Sequence, residues 1–431
     1  MLVILTYNLL ITLAFIIYIP VIIWKMVSQG KYRSQFWQRF GYIKKQEGTK
    51  TTNAPVIWIH AVSVGETIAI SSVAAELKKK HPHSTLVFTT VTDTGQQVAR
   101  KVITNADLFS YLPVDLPRAV RRFVRRIRPD ILVLTESEFW PNLIRITKEE
   151  GGQVILANGR ISDSSYKKYT YLGPIWQQTL ANIDYFAMQS EQDVKRIINL
   201  GADPQKVTNS GNTKFDQLSA SATPELSQQL YQDFSLNQSD LIWVAGSTHP
   251  GEEEQLLVVY SQLQKEYPNL LLILAPRHID RAGDIIKLFA DKGIETVCRT
   301  TLNNRNPREH RVIILDTIGE LSTVYLIADL VFVGGSLVPW GGHNILEPAA
   351  VGKPTLFGPH MFNFVDITRL MLDAKAVIQV QNHEELTVQI RGLLADSDKR
   401  KELGQRAKET VQKNQGASQR VAEIVGFYLH R

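Results

Sequence analysis

The chain has 431 residues, 44% of them hydrophobic and 21% charged, which is the composition of a packed globular body and too long for a single hydrophobic core. Its net charge of +6 and pI near 9.1 would suit a nucleic-acid binder, but the basic residues between Lys25 and Lys45 account for the whole excess, which excludes nucleic acid as the expected partner. A single cysteine, Cys298, excludes an intrachain disulfide, and the lack of CxxC and HExxH spacing predicts no structural zinc site.

The first 24 residues, MLVILTYNLLITLAFIIYIPVIIW, carry no charged side chain and are long enough as a helix to cross a hydrocarbon core. No early basic region and no small-residue cleavage site marks a removable signal peptide, so 1–24 reads as an uncleaved membrane anchor. Lys25, Lys31, Arg33, Arg39, Lys44 and Lys45 follow with no acidic residue among them, which places the body on the cytoplasmic side. Within this segment, 25–50, Tyr32, Phe36, Phe40 and Ile43 recur at helical spacing beside Trp37. That pattern predicts an interfacial helix on anionic lipid, and an aromatic stripe packed into the protein's own core has the same period.

From residue 55 short apolar runs alternate with helical stretches: VIWIHAV, STLVFTTV, DILVLTE, QVILANG and YFAMQS. Such alternation predicts a parallel sheet covered by helices. Between the second and third runs, PRAVRRFVRRIRPD sets Val120, Phe123, Val124 and Ile127 on an inner stripe and its arginines outside. That basic face suits either anionic lipid or plain solvent. The polar stretch DQLSASATPELSQQ, from Asp216, has no strong apolar period and reads as a linker. The alternation then restarts with LIWVAGST, NLLLILAPRH, RVIILDT, DLVFVGG and KPTLFGP. The expected architecture is α/β, two facing Rossmann-like domains over 51–218 and 219–431.

In open α/β sheets ligands bind at the carboxyl ends of the strands, and the residues after these runs are polar. The run VIWIHAVSVGE delivers Glu66 to the mouth of a helix, where positive partial charge favours an ionised carboxylate able to accept a proton or merely to cap the helix. In VFVGGSLVPWGGHNILEP two Gly-Gly pairs allow close backbone approach to a ligand, and Glu347, in the first turn of a predicted helix, is placed to chelate ribose hydroxyls or to complement the dipole. No GxGxxG follows the first strand and no P-loop is present.

The ordered motifs HAVSVGE, TESEFWPN, NGRIS, SGNTKFD, GSTHPGEE, APRH, GGHNILEP and GPHMFNF, spread over most of the chain, resemble the Kdo (3-deoxy-D-manno-oct-2-ulosonic acid) transferases of lipid A assembly. The resemblance implies a GT-B glycosyltransferase, inverting and metal-independent, that needs no cofactor. It would transfer Kdo from CMP-Kdo to lipid IVA at the inner membrane. It also implies Glu66 as proton acceptor, Glu136 and Lys214 as transition-state stabilisers, and CMP contacts at Pro276, Arg277, Ile318, Gly319, Glu320, Asn344, Ile345, Leu346 and Glu347. Lys214 suits the donor's carboxylate or departing phosphate, and Arg277 suits either anion through its planar fork. Glu138 is the competing acid in TESEFWPN, and helix-start capping is the alternative for both glutamates. Two other classes fit parts of the pattern: a GT-B enzyme using a UDP-sugar, and a membrane-tethered nucleotide-binding module without catalysis.

Overall fold

The computed structural model describes residues 2–28, 36–43, 54–171, 173–217, 223–304 and 310–429. They form two compact units, one of residues 1–217 with 414–431 and one of 218–413. The expected domain 219–431 is therefore not one body, because its last helix belongs with the first unit. The boundary near 218 lies outside the described residues, as do Lys31, Tyr32, Arg33, Lys44 and Lys45.

The first unit is built on seven parallel strands: β1 (Val56–His60), β2 (Thr85–Thr90), β3 (Leu108–Tyr111), β4 (Ile131–Thr135), β5 (Gln153–Gly159), β6 (Tyr185–Met188) and β7 (Val207–Asn209), ordered β3-β2-β1-β4-β5-β6-β7. The central strands β1 and β4 are buried at every position because helices cover both faces. The second unit repeats the plan with β8 (Leu241–Thr248), β9 (Leu270–Pro276), β10 (Thr296–Cys298), β11 (Val312–Ile314), β12 (Leu330–Val333), β13 (Thr355–Phe357) and β14 (Ile378–Gln379), ordered β10-β11-β9-β8-β12-β13-β14. Every apolar run read as a strand is one. The strands without a run of their own, β3, β7, β10 and β14, are the four sheet edges. They are two to four residues long and pair on one side only, so little apolar sequence marks them.

In each sheet the strand order reverses beside the first strand, between β1 and β4 and between β8 and β12. At such a switch point the loops diverge to opposite faces and open a crevice at the carboxyl ends.

The stretch expected as a linker is partly helical. Pro224–Asp233 is a helix whose first-turn proline and Thr223 cap, accepting from Leu226 N, are local start signals that outweigh its weak apolar period. The helix Pro117–Ile127 has the expected inner stripe, with Val120, Phe123, Val124 and Ile127 buried. Its basic face is largely engaged: Arg121 and Arg125 pair with Glu149 and Glu150, and Arg122 lies 4.0 Å from the centroid of the Tyr42 ring. The aromatic segment is a short turn of 3-10 helix, Phe36–Phe40, rather than a longer interfacial helix over the described residues. It divides its apolar side chains, for Trp37 and Tyr42 are exposed while Ile43 packs on the core of the first unit.

The N-terminal helix, Leu2–Ser28, is long and apolar enough to cross a membrane and is unburied over Ile4–Val21. Its polar residues meet the first unit: Tyr7 donates to Asp115 at 2.8 Å, and Asn8 accepts from Asn142 at 2.7 Å.

The C-terminal helix, Ala417–Leu429, closes the first unit. Val421, Ala422 and Val425 join the apolar cluster of Ile57, Ile59 and Ile70, and Asp216 accepts from Gly416 N and Ser418 N, each at 2.6 Å. Gly416 has φ +90°, which a side chain would strain. Asp216→Ala leaves two amides at the start of this helix without their acceptor and is expected to cost the first unit about 1–3 kcal/mol. A lowered urea midpoint checks this, and an unchanged one would mean that apolar contacts alone dock the helix.

Candidate functional site

Each unit carries a polar constellation at its switch point. In the first, β1 ends at His60 and the chain turns through Ala61 and Val62 into the helix Val64–Lys80, capped by Ser63. Glu66, 9% exposed, sits in the first turn and spans the switch point: Oε2 accepts from Val62 N and from Thr135 Oγ1 at the end of β4, both at 2.9 Å. Among the described residues Oε1 accepts only from Ser63 Oγ, also at 2.9 Å. A carboxylate has about four acceptor positions, so one position on Oε1 remains for a further donor. Glu66 thus braces the start of its helix and has an acceptor position left on Oε1.

Glu136 follows β4 with φ +49°, a conformation uncommon outside glycine and concentrated at functional sites. Burial pushes its carboxyl up and the Glu66 charge adds to this, while Lys214 pulls against it. Two residues on, Glu138 accepts from the Trp140 indole at 2.8 Å and is pushed up to about 7 by burial and by the charge of Glu66, with Glu136 adding to it. Lys214 is placed by a chain of bonds. Asn158, near the end of β5 and itself at φ +52°, accepts from Thr213 N at 3.1 Å, and Thr213 Oγ1 donates to Ala69 O at 2.6 Å on the Glu66 helix. The structure thus brings Glu66, Glu136, Glu138 and Lys214 into one cluster. His60, wholly buried with Nδ1 3.0 Å from Thr89 Oγ1 and held down to about 4 by burial, is a neutral core residue.

In the second unit the switch point is stitched by Glu252, which is 0% exposed. Its Oε2 accepts from His249 N and Gly335 N, at 3.0 and 2.6 Å, and its Oε1 from Ser336 N and Leu337 N, both at 2.9 Å. Every acceptor position is used. Gly334 is required where β8 and β12 converge, since a Cβ there would lie 2.6 Å from Ser247 O.

The expected nucleotide contacts lie on three loops of the same unit. Pro276 closes β9, and Arg277, whose N donates to Thr248 O at 3.0 Å, is exposed and forms no ion pair among the described residues. Asn344, Ile345, Leu346 and Glu347 lead into a helix of only five residues, Leu346–Ala350. Asn344 donates to Glu347 Oε1 at 3.1 Å, and burial pushes the Glu347 carboxyl up against the opposing charge of Arg277. Ile318, Gly319 and Glu320 follow β11; Ile318 is 84% exposed and Glu320 bonds Thr317 and Arg299. Among the described residues no group of three His, Cys, Asp or Glu side chains is arranged to hold a metal ion.

Sequence reasoning assigned no role to Glu252 or to the pairing of His249 with His343. The polar motif GSTHPGEE was the available signal, but the partners lie more than 80 residues along the chain.

Solved structures share this architecture at low identity. A glycosyltransferase from Rickettsia africae aligns over 88% of this chain and 98% of its own, at 16% identity and a TM-score of 0.58. A UDP-GlcNAc 2-epimerase from Neisseria meningitidis aligns over 86% and 99%, at 12% identity and a TM-score of 0.60. Two parallel-sheet α/β units with these neighbours define a GT-B fold. The family model of 3-deoxy-D-manno-octulosonic-acid transferases matches residues 34–217, and that of glycosyl transferases group 1 matches 245–410. The 3-deoxy-D-manno-octulosonic acid transferase of Haemophilus influenzae is 35% identical over 94% of both chains, and that of Chlamydophila psittaci 33% identical over 86% of this chain and 84% of its own. The chain belongs to the Kdo transferase family, glycosyltransferases of lipopolysaccharide biosynthesis.

Because the Glu138 carboxyl is pushed from 4.5 to about 7, the folded protein binds a proton there that the unfolded chain releases. That contribution to stability is present at pH 4 and is lost as pH rises towards 7, a loss on the order of 3 kcal/mol. Glu138→Gln removes the titration. Its melting temperature is expected to exceed that of the unsubstituted protein more at pH 8 than at pH 5, and equal increments at the two pH values would contradict the assignment.

Proposed function

We propose that this enzyme transfers Kdo from CMP-Kdo to lipid IVA with inversion and without a metal ion, Glu66 acting as the base. The observation that carries this reading is the single open acceptor position on Glu66 Oε1 beside Glu136 and Lys214. In the proposed step the acceptor hydroxyl attacks the anomeric carbon as its bond to the CMP phosphate breaks. CMP leaves with the bonding electron pair, and Glu66 takes the hydroxyl proton. An alcohol becomes acidic as its oxygen bonds to an oxocarbenium-like carbon, so a carboxylate suffices when proton transfer is late. Lys214 offsets the anionic charge of the donor, and Glu136 orients Lys214 through their charge interaction.

The second unit, in this reading, holds CMP through Arg277 on the phosphate, Glu347 on the ribose, and the backbone at Pro276, 318–320 and 344–346 as the remaining contacts. A UDP-sugar donor is the alternative, and nucleotide preference separates the two. The helix Leu2–Ser28 anchors the protein in the inner membrane with its body in the cytoplasm, and the basic residues after it meet anionic lipid headgroups.

The defining experiment is mass spectrometry of lipid products after mixing purified protein, CMP-Kdo and lipid IVA with EDTA present throughout. Kdo-bearing lipid is expected, and its absence until a divalent ion is restored would contradict the metal-free reading. In the same assay Glu66→Gln is expected to cut turnover about 10²–10⁴-fold while leaving CMP binding unchanged. Near-normal turnover would remove Glu66 from the role of base.

A chain truncated to begin at Lys31 is expected to act on detergent-dispersed acceptor but to lose activity on acceptor embedded in vesicles, most of all at high salt. Equal activity of both forms on vesicles at every salt concentration would show that the N-terminal segment is no anchor.

A further inference from the structure

His249 and His343 have no role in the mechanism above, yet their geometry is specific. The first follows β8 and the second precedes the helix Leu346–Ala350, and their Nε2 atoms lie 2.9 Å apart with the rings within 3° of parallel. The Trp340 indole stacks on His249 at 4.7 Å, and His278 meets it edge-on at 6.0 Å. Gly335 closes over both rings, for a Cβ there would stand 3.1 Å from His343 Cδ2 and 3.3 Å from His249 Cδ2.

Two bare Nε2 lone pairs at this separation repel, and two N–H groups collide, so the contact requires one proton between the rings. In the neutral pair one ring then carries its proton on Nε2 and has a bare Nδ1, while the other carries its proton on Nδ1. That bare Nδ1 can take one further proton without breaking the Nε2 contact, giving the pair a charge of +1. A second added proton would have to displace the shared one. The pair is therefore a one-proton acceptor.

The groups facing it keep it neutral. Burial is the largest cause at both rings; His278, Arg277 and Arg281 add to it at His249, and Arg277 and His278 add to it at His343, which is held down to about 4. The nearby carboxylates are engaged elsewhere: Glu252 with four amides, Glu253 with Arg281 and Thr248, and Glu347 with Asn344. What the pocket lacks is an anion, and Arg277 stands exposed without an ion pair among the described residues.

We infer that the His249–His343 pair takes up a proton when the phosphate of a cytidine nucleotide binds beside Arg277, and returns it when the nucleotide leaves. This rests on the CMP reading above and extends it. A phosphate monoester carries close to two negative charges at neutral pH, enough to reverse the positive local field and to offset the burial that together keep the pair neutral. During transfer the departing phosphate gains one negative charge, and the protonated pair matches it without a proton having to reach the phosphate itself.

Isothermal titration of the full chain with CMP at pH 7, in buffers of different ionisation enthalpy, reads the protons exchanged from the slope of heat against that enthalpy. Net uptake of about one proton per CMP is expected. CMP giving up its own remaining phosphate proton would have the opposite sign, and cytidine, lacking the phosphate, is expected to show none. His343→Gln and, separately, His249→Asn are each expected to bring the slope near zero while CMP still binds. The same variants should abolish the tightening of CMP binding expected as pH falls from 8 to 6. CMP binding without proton uptake, or uptake unchanged in both variants, overturns the pair's role and leaves the nucleotide reading standing. Failure of CMP to bind the unsubstituted protein overturns both.

Discussion

A glutamate that bridges the switch point of a parallel sheet is the interaction on which both units depend. Where the strand order reverses, two adjacent loops diverge and leave backbone N–H groups pointing into a buried crevice, and each unpaired one would cost a full desolvation penalty. Glu66 joins the loop after β1 to Thr135 at the end of β4, and Glu252 joins the loop after β8 to the amides after β12. Both come from the loop or first helical turn after the first strand of their sheet, and in both the carboxylate organises the loops that carry the rest of the site.

The two differ in what remains after the bridging. Glu252 accepts four amide bonds and is wholly buried, so it has neither an acceptor position nor access to spare. Glu66 accepts three bonds and is 9% exposed. The same residue type in the same topological position is a saturated brace in one unit and a brace with an open acceptor position in the other. Beside Glu66 the unit concentrates like charge: Glu136 and Glu138 are both pushed up by burial and by the Glu66 charge, and Lys214 is a cation that opposes this at Glu136. Backbone strain at Glu136 and Asn158 lies within the same cluster, where the surrounding hydrogen bonds hold it.

Much of this was legible in the sequence because its signals are local. A strand buried on both faces is a continuous apolar run, an amphipathic helix repeats every three to four residues, and a motif such as HAVSVGE sets a strand, turn and helix start within eleven residues of VIWIHAVSVGE. These features determined the doubly wound class, the inner strands, the apolar N-terminal helix, the stripe of Val120, Phe123, Val124 and Ile127, and the places where polar loops meet strand ends.

The tertiary structure alone decided what depends on strand order. The four edge strands pair on one side only and carry too little apolar sequence to announce themselves. Three of the four amides from which Glu252 accepts lie 83 to 85 residues away, His343 is 94 residues from His249, and the C-terminal helix returns to Asp216 across 200 residues. Such contacts leave no period in the chain, because they arise when parallel strands lie side by side and bring distant loops to one end of a sheet. The sequence determined which groups have the chemistry, and the folded sheets decided which of them meet, how many bonds each makes, and so which carboxylate has a position left to use.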